Sequence, residues 1–172
     1  MISGRAQPGE YAEYAQSDID FVKGDDIVAI LESQIAETVA VLHTVRDADF
    51  AYAPGKWTLR QVVHHMSDDE RIFAYRCLCL MRNDPRPLAG FDEKLYAEFA
   101  DSSQRSMPTL IDELMIVRSG TLALLRDISE EAWMRRGIVN GYSATVRGLA
   151  FHIAGHELHH LRIIRDKYLL GR

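Results

Sequence analysis

Apolar residues recur at intervals of three and four along four long segments of this 172-residue chain. The first segment predicts a helix from about Asp25 to Arg46, with apolar positions at Ile27, Ile30, Leu31, Ile35, Val39 and Leu42. This spacing places the apolar side chains on one face of an α-helix, because each turn holds 3.6 residues. No segment shows sustained alternation flanked by hairpin turns, which strands would require. The pattern therefore predicts an all-α protein.

Three more long helices follow from the same periodicity. They are predicted from about Thr58 to Arg82, from Thr109 to Asp127 and from Thr145 to Leu169. The run Asp84-Pro85-Arg86-Pro87 ends the second of them, since proline cannot continue a helix. The length is sufficient for one well-buried core and too short for two ordinary domains. We therefore expect a single domain over residues 1–172.

The segments between the helices are uneven in length. The connection from Asn83 to Pro108 is long for a compact helical domain, and it has room for a short helix at Glu93 to Ala100. Long connections often form lids or rims of binding sites. Ser129 to Gly141 is predicted to be a linker with one helical turn around Trp133. Residues 1–24 are predicted to wrap the bundle as an irregular arm.

Charge and composition exclude several classes of partner. A formal charge of −5 and a pI near 5.8 argue against binding to nucleic acid, which needs clustered lysine and arginine. No apolar run approaches the length of about 18 residues that a membrane span requires. Cys77 and Cys79 point in different directions on a helix and fit a reducing compartment. We expect a cytoplasmic protein.

Four histidines lie on the fourth predicted helix. At about 100° per residue, His156 and His160 fall on the apolar arc, whose other members are Val146, Leu149, Ile153, Ile163 and Ile164. His152 and His159 lie at its border. The opposite side, which we expect to face solvent, carries Arg147, Arg162 and Arg165.

The second helix supplies a histidine pair. Its apolar arc contains Val62, Met66, Ile72, Phe73 and Leu80. His65 lies inside the edge of this arc and His64 lies well outside it, so His65 is the better ligand. Asp69 and Arg76 share the side of His65 at helical spacing. Charges so close to an apolar face need partners or a function.

Three core-facing histidines on two helices predict a metal site. His156 and His160 are one turn apart and can bind one ion, and His65 would be the third ligand. Catalytic sites of this kind keep an open position for water or substrate. We expect one divalent ion, zinc or nickel, with iron as the alternative. Without a metal, the same residues would be hydrogen-bonded core histidines.

Two other motifs overlap the same segment. His156 to His160 satisfies the H-E-x-x-H pattern of zinc proteases, but only 12 residues follow His160 and no substrate-binding sheet is predicted. Glu157 and His160 match one Glu-x-x-His element of di-iron bundles, and the chain has no second such element. A mononuclear site fits better than either.

Three charged residues are candidates for catalytic roles. We predict that Asp69 orients the ligand histidines, that Arg76 binds a substrate anion and that Glu157 transfers protons. The alternative for Asp69 and Arg76 is pairing within their own helix. The alternative for Glu157 is a solvated or ligand-orienting carboxylate. Phe91 to Glu93 could form part of the rim of the pocket.

Four segments together resemble one known family. They are Lys56 to His65, Asp69 to Arg76, Gly90 to Asp92 and Gly155 to His160. In order and spacing they resemble the DinB-like (damage-inducible, YfiT-related) superfamily, over nearly the whole chain. The resemblance implies a four-helix bundle with up-down-down-up connectivity, in which the segment from Asn83 to Pro108 is the long crossover between helices 2 and 3. It also implies assembly as a homodimer.

The resemblance carries ligands and chemistry as well. It implies a divalent metal held by three histidines, which by position are His65, eight residues after Trp57, and the pair His156 and His160. Members of the family include transferases and isomerases that use low-molecular-weight thiols, and proteins proposed as metal-dependent hydrolases. We therefore expect a metal-dependent enzyme that activates a thiol cosubstrate or water and acts on a small molecule. The alternative is a non-catalytic bundle that binds a metal or senses a small molecule.

Overall fold

The computed structural model describes residues 4–169, and most of them are helical. In chain order the helices are α1 (Gln16–Ile19), α2 (Ile27–Leu42), α3 (Leu59–Met81), α4 (Glu93–Phe99), α5 (Met107–Leu125), α6 (Glu130–Met134) and α7 (Val146–Ile163). A π-helical segment, Ile164–Leu169, extends α7. None of the helices in this range is both long and apolar enough to cross a membrane.

The four long helices α2, α3, α5 and α7 form a four-helix bundle. Helix α3 packs against α5 and α7, and α2 packs against the same two helices. Helices α2 and α3 therefore occupy opposite corners of the bundle. The mostly helical fold and the bundle are confirmed, whereas the up-down-down-up order of helix directions stays a prediction.

The core of the bundle has a polar layer between two apolar clusters. Helix α3 contributes Leu59 to Met66 to one cluster and Phe73 to Met81 to the other. The buried polar side chains of the layer come from all four long helices and include Gln34, Thr38, His65, Asp69, Glu70, Arg118 and Glu157. Because the two clusters exclude water at both ends, these polar groups must be satisfied by one another or by a ligand.

Capping residues determine where the helices begin. Thr58 and Gln61 form a capping box at the start of α3, which matches the predicted start of this helix. Helix α2 begins two residues later than predicted, because the side chain of Asp26 accepts a hydrogen bond from Ala29 N. Helix α5 begins two residues earlier than predicted, with Ser106 as its cap and Pro108 inside the first turn.

A short hairpin departs from the predicted helical pattern. Strand β1 (Arg136–Val139) lies in the segment predicted to be a linker, and strand β2 (Tyr142–Thr145), which pairs antiparallel with it, follows that segment. Asn140 and Gly141 join them with φ angles of 51° and 81°, as in the tight turns that Asn-Gly pairs favour. Strands of four residues are too short to show alternation of apolar and polar residues. The Asn-Gly pair was therefore the sequence feature that could have predicted the hairpin.

The amino-terminal arm is more regular than predicted and lies directly on α7. Besides α1, it contains a 3-10 turn at Glu13–Ala15. A Cβ atom at Gly155 would lie 2.7 Å from the backbone of Asp18, which is closer than packing allows. Two smaller features support the same contact: Gly148 abuts Glu10, and Arg147 pairs with Glu10 at 2.6 Å. The prediction that Arg147 faces solvent was therefore wrong, because the arm covers it.

Candidate metal centre

Three histidine nitrogens converge where α3 faces α7. Nε2 of His156 lies 3.1 Å from Nε2 of His65 and 3.0 Å from Nε2 of His160. Ligands of a tetrahedral zinc ion at the usual bond lengths are separated by about 3.3 Å. These three residues form a group of potential metal ligands in the described part of the chain. The donor set and its spacing fit one divalent ion.

The histidine cluster is uncharged at neutral pH. Burial lowers the pKa of His65 to about 4 and lowers the pKa values of His156 and His160 well below the usual range. The neighbouring imidazoles lower all three pKa values further, since a second positive charge nearby is unfavourable. Metal coordination needs neutral imidazole, so the burial of the cluster prepares it for a cation.

Asp69 lies behind the cluster. Its Oδ2 is 3.2 Å from Nδ1 of His156, although the two groups are not aligned as a full hydrogen bond. This contact favours the tautomer of His156 that carries its proton on Nδ1 and leaves the lone pair of Nε2 for a cation. Burial raises the pKa of Asp69 to about 8, despite the opposing effect of Arg76. A cation at the cluster would favour the carboxylate form.

The cluster opens into a cavity of about 340 Å³. Several elements contribute to its wall. The arm provides Tyr14 and Asp18, the long crossover provides Phe91 and Glu93, and the hairpin provides Asn140. The predicted contribution of the crossover to the rim is thus present in the structure.

Arg76 is buried in the wall of this cavity. Its guanidinium donates a hydrogen bond to the carbonyl of Ala89 at 2.9 Å and lies over the ring of Phe73, 4.6 Å from its centroid. Within residues 4–169, no carboxylate lies within 4.0 Å of this guanidinium. A buried cation without a carboxylate partner is suited to bind an anionic group of a ligand.

The other histidines of the two helices have different surroundings. His152 stacks on Phe73 with a centroid distance of 4.0 Å, and His159 lies 3.0 Å from a carboxylate oxygen of Asp18. Both line the cavity without joining the cluster. His64 points away from the cavity, where its Nδ1 is 3.0 Å from the hydroxyl of Ser102 in the crossover. The choice of His65 over His64 by helical phase agrees with this geometry.

Glu157 lies outside the cavity, in contrast to the role predicted for it. Its carboxylate accepts hydrogen bonds from Gln34, Thr38 and Arg118, at distances of 2.5 to 2.6 Å. Successive residues of a helix point about 100° apart, so Glu157 faces the interior of the bundle while His156 faces the cavity. Its oxygens are occupied, and the geometry gives it no access to a substrate.

Sequence reasoning missed Arg118, which is the centre of this buried network. Its guanidinium binds both oxygens of Glu70, at 2.8 and 2.9 Å, and also Glu157. Arg118 lies four residues from both Leu114 and Leu122 on the apolar stripe of α5. An arginine in the middle of an apolar stripe was the signal that could have revealed the network.

Fold and site together define a helical bundle with a three-histidine candidate metal centre. The family model of the DinB superfamily matches residues 30–164. The chain belongs to this superfamily.

Sequence comparison gives two named relatives. The chain is 26% identical to "Putative metal-dependent hydrolase YfiT" of Bacillus subtilis strain 168 over 129 residues, which is 74% of this chain and 71% of the relative. It is 36% identical to "Putative metal-dependent hydrolase OB0782" of Oceanobacillus iheyensis over 84 residues, which is 47% of this chain and 46% of the relative.

Solved structures support the fold. The structure of YfiT, described as a four-helix bundle of unusual topology, matches with a TM-score of 0.78 at 23% identity and covers 98% of this chain and 95% of YfiT. A mycothiol-dependent maleylpyruvate isomerase matches with a TM-score of 0.67 at 14% identity, covering 84% of this chain and 61% of the isomerase.

Proposed function

We propose that this protein is a metal-dependent enzyme in which His65, His156 and His160 hold one divalent ion. The observation that carries the proposal is the convergence of three neutral imidazole nitrogens at the wall of an open cavity. When bound, such an ion would lower the pKa of a water or thiol at its open position and make either one a nucleophile near neutral pH. Zinc and nickel are the expected ions, with iron as the alternative.

The residues around the cluster would bind and orient the reactants. Asp69 would hold His156 in the tautomer that binds a cation, as carboxylates behind ligand histidines commonly do. Arg76 would bind an anionic group of a small-molecule substrate in the cavity. The aromatic rings of Trp57 and Phe73 would exclude water from one side of the reaction site. No step of this proposal uses Glu157.

The relatives support two kinds of reaction. The names of two relatives indicate metal-dependent hydrolysis, which uses water, and the name of the isomerase indicates a thiol cosubstrate. Both reactions need an ion with an open coordination position, so the same site could serve either. We propose hydrolysis or thiol S-transfer as the reaction class. Assembly as a homodimer and a cytoplasmic location remain predictions.

A non-catalytic metal-binding or ligand-sensing bundle is the alternative function. A purely structural site would be closed by a fourth protein ligand. Within residues 4–169, the two other histidines that could complete a closed shell are held elsewhere: His159 contacts Asp18, and His64 contacts Ser102. The open side of the cluster therefore favours catalysis.

Elemental analysis of protein purified without added metal tests the site. We expect about one divalent ion per chain, loss of this ion in His65→Ala, and its retention in the matched control His64→Ala. Assays for hydrolysis and thiol transfer on metal-loaded protein should lose activity in His65→Ala alone. Full metal content in His65→Ala would overturn the proposal.

A further inference from the structure

The three histidines of the cluster are supported in different ways. His156 has the carboxylate of Asp69 beside its Nδ1, at 3.2 Å. Within residues 4–169, no carboxylate lies within 4.0 Å of a ring nitrogen of His65 or His160. A ligand histidine whose ring is free to rotate binds an ion less tightly, because fixing the ring costs entropy. The orientation of His65 therefore depends on a different kind of contact.

The indole ring of Trp57 provides a contact of this kind. Its centroid lies 4.9 Å from that of the His65 imidazole, and the two ring planes are tilted by 54°. The rings of His156 and His160 each lie 5.0 Å from the same imidazole. The His65 ring is thus packed between an indole and the other two ligands. Packing against a large rigid ring restricts the rotation of the imidazole.

Tyr168 holds the backbone of Trp57. Its hydroxyl donates a hydrogen bond to the carbonyl of Trp57 at 2.7 Å. This carbonyl comes just before the first one that α3 uses, which is that of Thr58 bonded to Val62 N at 3.0 Å, so the helix offers it no partner. The side chain of Tyr168 is buried, and Tyr52 contacts its ring edge to face at 5.2 Å. The hydroxyl therefore reaches Trp57 from a fixed position.

Tyr168 follows the helix that carries the other two ligands. It lies in the π-helical segment Ile164–Leu169, which directly continues α7. A π-helix bonds each residue to the fifth one along, so its wider turn changes the direction in which the following side chains point. Tyr168 comes eight residues after His160, and Trp57 comes eight residues before His65. The bond from Tyr168 to Trp57 thus joins the two ligand-bearing segments at equal distances along the chain from their ligands.

We propose that Trp57 and Tyr168 are positioning residues that hold His65 in place opposite His156 and His160. Tyr168 fixes the backbone of Trp57 through its hydroxyl, and the indole fixes the imidazole of His65. This inference rests on the proposed function, since it concerns a ligand of the proposed ion. It assigns to an aromatic pair the role for His65 that Asp69 has for His156.

The test uses cobalt as the bound ion, because its visible absorption changes with the number and arrangement of its ligands. Competition with a chromophoric chelator gives the affinity of each variant for cobalt, and the absorption spectrum reports on the coordination geometry. Tyr168→Phe removes the hydroxyl and keeps the ring, whereas Trp57→Leu removes the indole. Urea unfolding of the metal-free protein measures the effect of each substitution on stability.

We expect Tyr168→Phe and Trp57→Leu each to lower cobalt affinity by about tenfold, as for other groups that orient ligand histidines, and to change the cobalt spectrum. Trp57→Phe keeps an aromatic ring beside His65 and should retain most of the affinity. Tyr52→Phe is the matched control, because it removes a hydroxyl from the same aromatic group and keeps the bond from Tyr168 to Trp57. Its cobalt affinity and spectrum should equal those of the wild type.

The outcomes separate this inference from the proposed function. Wild-type cobalt affinity and spectrum in Tyr168→Phe and Trp57→Leu overturn the positioning role and leave the metal site intact. A loss of stability with an unchanged cobalt spectrum shows a structural role alone and also overturns the inference. If Trp57→Leu does not fold, Tyr168→Phe distinguishes the same outcomes. A wild-type protein that binds no cobalt overturns both proposals.

Discussion

His64 and His65 are neighbours in sequence, yet they face different parts of the molecule. His65 joins the cluster at 3.1 Å from His156, whereas His64 is buried against Ser102 of the crossover. Helical phase distinguishes the two, because it depends only on the angle between successive residues. Phase also explains why Glu157 does not accompany His156 into the cavity.

At the residue scale, the contact of Asp69 with His156 predicts a specific loss of metal affinity. Asp69→Asn keeps the size of the side chain and removes the negative charge beside Nδ1 of His156. We expect metal affinity to fall by about 10- to 100-fold, as for other carboxylates behind ligand histidines. Competition with a chromophoric chelator measures this affinity.

Asp68→Asn is the matched control for this substitution. Asp68 precedes Asp69 on the same helix and pairs with Arg71 on the surface at 3.3 Å, so its loss should leave metal affinity unchanged. Equal affinities of Asp69→Asn and wild type would show that Asp69 does not orient the ligand.

The long helices bring the functional side chains together at one level of the bundle. Residues of the polar layer come from α2, α3, α5 and α7, and apolar clusters lie on both sides of it. Periodicity and capping were sufficient to predict the long helices to within a few residues at most ends. The contacts within the layer could not be predicted in this way, because partners such as Gln34 and Glu157 are more than 100 residues apart.

At the element scale, the buried pair of Arg118 with Glu70 and Glu157 predicts a large effect on stability. Arg118→Met would leave two buried carboxylates without a cation. We expect the free energy of unfolding to fall by about 3–5 kcal/mol, since breaking a buried ion pair leaves an uncompensated charge. Urea unfolding of the metal-free protein measures the change.

Arg126→Met is the control at the end of the same helix. Arg126 pairs with Glu32 on the surface at 2.6 Å, with both side chains about half exposed, and such pairs contribute about 1 kcal/mol or less. Stability losses of the same size in both variants would contradict the importance assigned to the buried network. Adding Glu70→Gln and Glu157→Gln to Arg118→Met should restore part of the loss, because the stranded charges are then removed.

Parts of the chain that are distant in sequence complete the site at the scale of the whole molecule. The arm, the crossover and the hairpin contribute Tyr14, Phe91 and Asn140 to one cavity. Sequence patterns identified the arm and the crossover as separate segments, but they could not show where each one lies on the bundle. The arm can approach α7 closely because Gly155 has no side chain. The sequence shows this glycine, but only the structure shows that the backbone of Asp18 packs against it.

The histidines buried by these segments predict how the stability of the whole metal-free protein depends on pH. Burial lowers the pKa of His152 to about 4, while a smaller effect of Asp18 raises this pKa and a smaller effect of Arg76 lowers it. The unfolded chain keeps a histidine pKa near the usual 6.5. Between these values the unfolded state binds the proton more readily. Stability from this residue is therefore complete above about pH 6.5 and is lost as the pH falls towards 4.

A substitution at His152 isolates this contribution from those of the other titrating groups. His65, whose pKa is also lowered, likewise loses its contribution to stability as the pH falls. Asp69, with its pKa raised to about 8, loses its contribution to stability as the pH rises. We subtract the unfolding free energy of His152→Phe from that of the wild type. This difference should fall by roughly 3 kcal/mol at most as the pH falls from 6.5 to 4. Urea unfolding at several pH values measures it, with the exposed His43→Gln as control. A constant difference across this range would contradict the burial of a neutral imidazole at position 152, and with it the close packing of the arm and Phe73 around the cavity.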